Sequence, residues 1–181
     1  MKMLKRLMAV AAVVAGVALP LAGQEALSQR GDEPTLDGVI GADEYSYSAS
    51  FDKDRIQLFL NWSDQVLSVG VIGETKGWVG VGFDSLKMDG AMIFIGYVDG
   101  EEIVFRGDMG RGHRHSGSDA LEAAGYALQQ EEKVTTMEIA LDAGDFLPDS
   151  GGDLQVILAY GNRDSLSAIH RYRTAVSVPV R

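Results

Sequence analysis

The sequence predicts an all-β protein, an antiparallel immunoglobulin-like β-sandwich of about 9 to 11 strands. Three observations lead to this class: apolar and polar residues alternate in many short segments, glycine is frequent at 22 of 181 residues, and turn residues separate the segments. Short strands at regular spacing are typical of such sandwiches. No repeat or low-complexity block interrupts residues 35–181, so we expect a single domain there.

The individual strands follow from the same alternation. Residues 45–51 alternate aromatic or apolar side chains with serines, the period of two that places one set on one face of a strand. The further predicted strands cover residues 56–62, 66–72, 78–83, 91–98, 103–105, 126–130, 133–141, 154–160 and 169–178. Asp99-Gly100 is a strong hairpin signal. Residues 106–117, rich in glycine and charge, are expected to form a loop, and 118–124 a short helical turn.

The first 23 residues have the layout of a secretory signal peptide. Three basic residues stand within the first six positions, an apolar run covers 7–19, and small residues lead to Gly23. The apolar run is short for a membrane-spanning helix, which needs about 20 residues. We expect cleavage after Gly23 or a few residues later and export to a periplasm or out of the cell, with an uncleaved anchor as the alternative. Residues 24–34 are polar and are expected to form a flexible leader.

Charge and composition exclude several classes of function. The full chain carries a formal net charge of −10, of which residues 1–23 contribute +3, so the remainder carries −13. Such an acidic chain is a poor nucleic-acid binder, because phosphate binding needs a basic surface. The chain has no cysteine, which excludes disulfides, thiol nucleophiles, thiolate metal sites and covalent haem attachment. The sequence also contains no nucleophile elbow and no phosphate-binding glycine loop.

Several separated motifs resemble those of the DOMON family, β-sandwiches that bind haem or sugar. In chain order they are GWVGVGF at 77–83, MDGA at 88–91, IFIGYVDG at 93–100 and LAYGN at 158–162, followed by the isolated His170. LDGVI at 36–40, followed by Glu44-Tyr45, resembles the first strand of many bacterial relatives. The resemblance covers roughly residues 35–178.

In the haem-binding branch of that family, a methionine after the tryptophan strand and a histidine near the last strands ligate haem b. The resemblance assigns these roles to Met88 and His170. It implies an electron-transfer domain rather than an enzyme, serving an exported or membrane redox partner, because filled axial positions disfavour oxygen activation. Some members bind no haem. The alternative is therefore a haem-free module for a carbohydrate or small ligand, with three candidate stacking aromatics, Tyr45, Tyr47 and Trp62.

The chemistry of the two residues is compatible with these roles and with simpler ones. Met88 lies in a polar turn, and its thioether is a soft ligand that favours reduced iron. The alternative is a loop methionine that packs back onto the core. His170 stands alone at the start of a predicted strand, where a neutral imidazole can ligate iron. Its alternative is a structural histidine.

Three further residues are candidates for the same pocket. Arg171 and Arg173 are expected to share one strand face, opposite His170, where guanidinium groups can pair with haem propionates. An exposed basic strand face is the alternative. Trp78 faces either the core or the pocket, and Gly80 and Gly82 on its face leave room for a planar group or for a neighbouring ring.

His113 and His115 lie two residues apart in the predicted loop 106–117. With Asp108 or Asp119 they have the composition of a divalent metal site, but two neighbouring arginines oppose cation binding. We expect a solvated loop here.

Overall fold

The computed structural model describes residues 26–148 and 152–181, and within them the chain is almost entirely β-structure. Its elements are β1 Tyr47–Phe51, β2 Ile56–Ser63, β3 Val66–Gly73, β4 Val79–Phe83, β5 Met92–Asp99, β6 Glu102–Arg111, β7 Arg114–Gly117, β8 Gly125–Glu131, β9 Val134–Asp142, α1 Ala143–Phe146, β10 Asp153–Tyr160 and β11 Tyr172–Pro179. All strand pairs are antiparallel, and the predicted sandwich class is confirmed.

The strands form two sheets. The first has the order β1-β2-β3-β9-β8 and the second the order β11-β10-β4-β5-β6-β7. The main core lies between them, because alternate residues of each strand point inward. Leu58 and Leu60 of β2, Val81 and Phe83 of β4 and Leu158 of β10 belong to this core and are almost fully buried.

The outer face of the second sheet carries a separate apolar cluster. It contains Trp78, Ala91, Ile93 and Ile95, with partly buried residues of β10 packed against them. A sheet face that is apolar on its outer side must be covered to be kept from water. Two connections provide cover: residues 84–91 between β4 and β5, here called the Met88 loop, and residues 161–171 between β10 and β11, here called the His170 loop.

The prediction of a loop over 106–117 is wrong. β6 continues to Arg111 and pairs with β7 in a hairpin. The glycines suggested a loop, but most of them are needed because a neighbouring segment packs closely against the strand. A Cβ on Gly107 would collide with the carbonyl oxygen of Leu121, and one on Gly110 with that of Met88. Gly112 alone among them has a positive φ, +60°, and it forms the hairpin turn.

Two other boundaries differ from the prediction. Strand β11 begins at Tyr172 instead of residue 169, so His170 and Arg171 precede it. The Arg171 N–H donates to the carbonyl of Tyr160 at 2.8 Å and closes the His170 loop. Residues 118–124 form a single turn, in which the Leu121 N–H donates to the carbonyl of Ser118 at 3.1 Å, and no helix follows.

The flexible leader predicted over 24–34 is wrong for part of its described residues. Leu27 is fully buried, and its N–H donates to the carbonyl of Pro179 at 2.8 Å. Parallel bridges join Leu27 to Val180 and Gln29 to Trp62, so this segment is fixed to both sheets. The predicted signal peptide, residues 1–23, lies outside the described residues. Within the described residues, no helix has the length and apolar character needed to cross a bilayer.

Candidate functional site

A cavity of about 820 Å³ lies on the outer face of the second sheet. Strands β4, β5, β10 and β11 supply its floor, and its walls come from the Met88 loop, the His170 loop and the tip of the β6–β7 hairpin. The volume falls within the range of about 300–1,000 Å³ that is usual for ligand and cofactor sites. The cavity is therefore large enough for a sizeable organic group.

The floor of the cavity is apolar and built around two glycines of β4. Gly80 and Gly82 line it beside Ile93, Ile95 and Ile157. A Cβ on Gly82 would lie 2.8 Å from Cγ1 of Ile157 and 3.1 Å from Cγ1 of Ile93, so the glycine lets these two side chains close over the strand. The predicted room beside Trp78 thus exists, partly filled by isoleucines and partly open.

Met88 lines the cavity and packs against the outer apolar cluster. Backbone hydrogen bonds hold its loop: the Ala91 N–H donates to the Met88 carbonyl at 3.1 Å, and the Gly90 N–H to the carbonyl of Gly110 at 3.1 Å. The Gly112 N–H donates to Oδ1 of Asp89 at 2.7 Å. The Met88 loop is thereby fastened to the β6–β7 hairpin, which fixes the backbone that carries the thioether.

His170 lines the same cavity from the opposite loop and is half-buried. Burial, and after it the charge of Arg173, lowers the pKa of His170 below its ordinary value. A low pKa keeps the imidazole neutral near pH 7, which is the form that ligates a metal. In the part of the chain that the structure describes, neither ring nitrogen of His170 forms a hydrogen bond, so both are free for a ligand.

The thioether of Met88 and the neutral imidazole of His170 therefore both line the cavity above its apolar floor. Iron in a haem accepts this pair of ligands, and a porphyrin ring needs an apolar surface for its two faces. The residues present fit a haem by this test.

Trp78 is both a buried residue and a lining residue. It is only 4% exposed and packs within the outer cluster. Its ring lies against Gly161, where a Cβ would collide with Nε1. That Nε1 is buried and, among the described residues, has no hydrogen-bond partner. Trp78 thus packs within the outer apolar cluster and also lines the cavity, so its position combines the two predicted alternatives.

The two arginines are separated. Arg173 lines the cavity, while Arg171 borders a smaller neighbouring cavity of about 230 Å³. The expectation that they share a face opposite His170 is wrong, because β11 begins only at Tyr172 and the alternation does not extend back to residues 170 and 171. Tyr172 packs against the main core, and Arg173 points to the same cavity as His170.

The hairpin tip adds groups that the sequence did not assign to this site. His113 and His115 both line the cavity. Nδ1 of His115 lies 2.5 Å from Oδ2 of the fully buried Asp108, which also accepts from Arg106. In a strand, residues 106 and 108 lie on one face, which would have brought Arg106 and Asp108 together. From the sequence, we predict a loop there instead. Across residues 26–148 and 152–181, no three His, Asp or Glu side chains are grouped as a metal site.

The aromatic residues of the alternative function are not arranged for stacking. Tyr45 and Tyr47 are buried, and Trp62 packs against the main core with its indole N–H on the carbonyl of Asp64 at 3.2 Å. These three side chains therefore form no exposed sugar platform.

Comparisons with known proteins show the fold alone. No protein-family model matches the chain, and no curated protein matches it. Among solved structures, it is similar to the cytochrome b domain of pyranose dehydrogenase from Coprinopsis cinerea, with a TM-score of 0.52, 11% identity, and coverage of 68% of this chain and 76% of that one. It is also similar to the cytochrome domain of Myriococcum thermophilum cellobiose dehydrogenase, with a TM-score of 0.50, 7% identity, and coverage of 74% and 82%.

Proposed function

We propose that this protein is an exported b-type cytochrome that holds haem b through Met88 and His170 and transfers electrons. One observation carries the proposal: two loops that are distant in sequence place a thioether and a neutral imidazole over one apolar cavity. The similarity of the fold to two cytochrome domains supports it. The motifs of the sequence support it too, because MDGA at 88–91 and the isolated His170 resemble those of the haem-binding branch of the DOMON family.

Each residue has a defined task in this proposal. Met88 and His170 would hold the haem iron, and the haem would supply one-electron chemistry. Because these two ligands together would leave the iron no open position for oxygen, the site would favour electron transfer over catalysis. The glycine and isoleucine floor keeps water from the ring, and Arg173 is the cation available to a propionate. The chain then needs an exported or membrane redox partner.

An absorption spectrum of the exported product of the full chain tests the proposal. The protein is produced with haem supplied and measured before and after dithionite. We expect a Soret shift on reduction with sharp α and β bands, as in a six-coordinate low-spin haem. His170→Ala should abolish this spectrum, and Met88→Leu should remove the thioether–iron charge-transfer band of the oxidised form. His113→Ala is the matched control, since it removes another histidine of the cavity lining and should keep the low-spin spectrum.

A folded, colourless protein that takes up no haem would contradict the proposal. It would direct attention to a haem-free module of the same fold and to a screen of glycans and small ligands. Mass spectrometry of the exported product tests the predicted export, because cleavage near Gly23 should set its N-terminus.

A further inference from the structure

The mouth of the cavity is the basic part of an acidic protein. Six exposed cations lie on the three segments around it, Lys87, Arg111, Arg114, Arg163, Arg171 and Arg173. They are six of the thirteen lysines and arginines of the described residues. Only three aspartates offset these cations in segments 84–91, 111–117 and 161–173. The local net charge is therefore +3, while the whole chain carries −10.

These cations are placed around one opening. Lys87 and Arg173 line the main cavity, and Arg163 and Arg171 border the smaller cavity beside it. Ile169 lines both cavities and so connects them. Arg111 and Arg114 face each other across the hairpin tip, whose Gly112 and His113 also line the main cavity.

None of the six forms an ion pair within the described residues. The ion pairs there join Arg55 to Asp52 and Arg106 and His115 to Asp108. Asp89, the acidic residue beside Met88, is occupied by the N–H of Gly112. Because screening limits a charge to a distance of about 8 Å at physiological salt, a partner that approaches this opening meets the local positive charge before the negative charge of the remaining surface.

Two large apolar side chains are exposed at the same place. Ile169, next to His170, is 88% exposed, and Leu86, close to Met88, is 43% exposed. Both line the cavity mouth. An apolar centre surrounded by charged groups is the usual anatomy of a transient protein interface.

We propose that this basic rim, Lys87, Arg111, Arg114, Arg163 and Arg171 with Leu86 and Ile169, is the docking surface for a redox protein that presents an acidic face. Arg173 is left out of the rim, because the proposed function assigns it to a haem propionate. The inference rests on the proposed function, because it places the partner at the mouth of the cavity that is proposed to hold the haem. The occupant is identified by charge complementarity: cations without internal partners, around the site of electron exchange, attract a surface of opposite sign.

The first test uses small redox reagents of opposite charge with the haem-loaded protein. The rate of electron exchange with ferricyanide, an anion, should fall as salt is added, and that with the cation tris(phenanthroline)cobalt(III) should rise. The net charge of the protein predicts the reverse for both reagents. A rate with ferricyanide that rises with salt would therefore overturn the inference.

Charge reversal locates the effect. Arg114 and Arg163 belong to the rim but do not line the main cavity, so Arg114→Glu with Arg163→Glu should keep the haem spectrum. This double variant should slow ferricyanide about tenfold at low salt, the lower end of the effect of electrostatic steering. The matched control is Lys53→Glu with Lys133→Glu, which makes the same change in net charge in exposed turns of the first sheet. Equal rates for the two double variants would contradict the inference.

Two blue-copper proteins of opposite surface charge then replace the reagents. The acidic one should exchange electrons about tenfold faster at low salt, and the difference should disappear at high salt. If both exchange at equal rates while the haem spectrum is intact, the docking surface is refuted and the proposed function stands. A chain without haem would instead refute the proposed function.

Discussion

The Tyr45 hydroxyl donates a hydrogen bond of 2.7 Å to Oε1 of Glu138, and both side chains are buried. Oε2 of the same carboxylate accepts from the N–H groups of Gly38 at 2.7 Å and Asp37 at 3.1 Å. Glu138 stands in β9, an inner strand of the first sheet between β3 and β8, and it thus fastens the segment that precedes β1. In the sequence, LDGVI with Glu44-Tyr45 was only a resemblance. In the structure, Asp37, Gly38 and Tyr45 of this segment bind the buried carboxylate of Glu138.

Tyr45→Phe is expected to reduce the free energy of unfolding by about 1.5–3 kcal/mol. The change removes one hydrogen-bond donor from the carboxylate of Glu138. The carboxylate stays buried, so the cost of removing it from water is unchanged while one of its partners is lost. Urea unfolding followed by circular dichroism measures the loss. Tyr126→Phe is the matched control, because Tyr126 is 49% exposed, and its hydroxyl should matter by less than about 0.5 kcal/mol. Equal midpoints for the two variants would show that the buried hydrogen bond adds no stability.

Glu138 should make stability depend on pH. Burial raises its pKa above the ordinary value of 4.5, although the hydrogen bonds from Tyr45 and the backbone lower it in part. Between the ordinary and the raised pKa the folded state binds more protons than the unfolded state, so the free energy of unfolding falls as pH rises through this window. Glu138→Gln should flatten that decline, as measured by urea midpoints across the window. Parallel curves for the native protein and the variant would contradict the assignment.

Gly110→Ala is expected to damage the Met88 loop. A Cβ at this position would collide with the backbone carbonyl of Met88. A backbone group cannot move aside as the end of a flexible side chain can. We expect a loss of about 1–3 kcal/mol, as for other overpacking changes. Gly31→Ala is the control, since a Cβ there meets nothing within 4 Å.

The spectrum separates a local effect of Gly110→Ala from a global one. If Met88 ligates haem, the variant should lose the thioether–iron band while it keeps the spectrum of a haem bound by His170. A variant as stable as Gly31→Ala with an unchanged band would show that the hairpin does not hold the Met88 loop.

Alternation of apolar and polar residues was enough to predict most strands. It was not enough for residues 106–117, because the sequence does not tell a glycine that serves close packing, such as Gly110, from one that turns the chain, such as Gly112. Arg171 shows the same limit. The strand alternation applies to it only if β11 includes it, but β11 begins at Tyr172, after the backbone hydrogen bond from Arg171 to Tyr160.

Met88 and His170 lie far apart in the sequence but line one cavity. Their shared position depends on the sheet order β11-β10-β4-β5, which places the connections after β4 and after β10 over one face. No spacing in the sequence contains that order, and the two residues were paired only because the resemblance to a known family assigns both of them a role as haem ligands. The buried Asp108 with His115 was missed because its strand was predicted to be a loop.

Gly80→Val should separate the fold from the cavity. A Cβ at Gly80 would lie 3.4 Å from the carbonyl oxygen of Phe94 and 3.6 Å from Cβ of Ile95, which are ordinary contacts, and a β-branched residue suits a strand. We expect unfolding free energy to change by less than about 1.5 kcal/mol. The two added methyl groups occupy the floor on which a ring would lie, so haem uptake should be lost in a titration, while Gly80→Ala should reduce it less. Full uptake by a stable Gly80→Val protein would show that this face does not hold the haem.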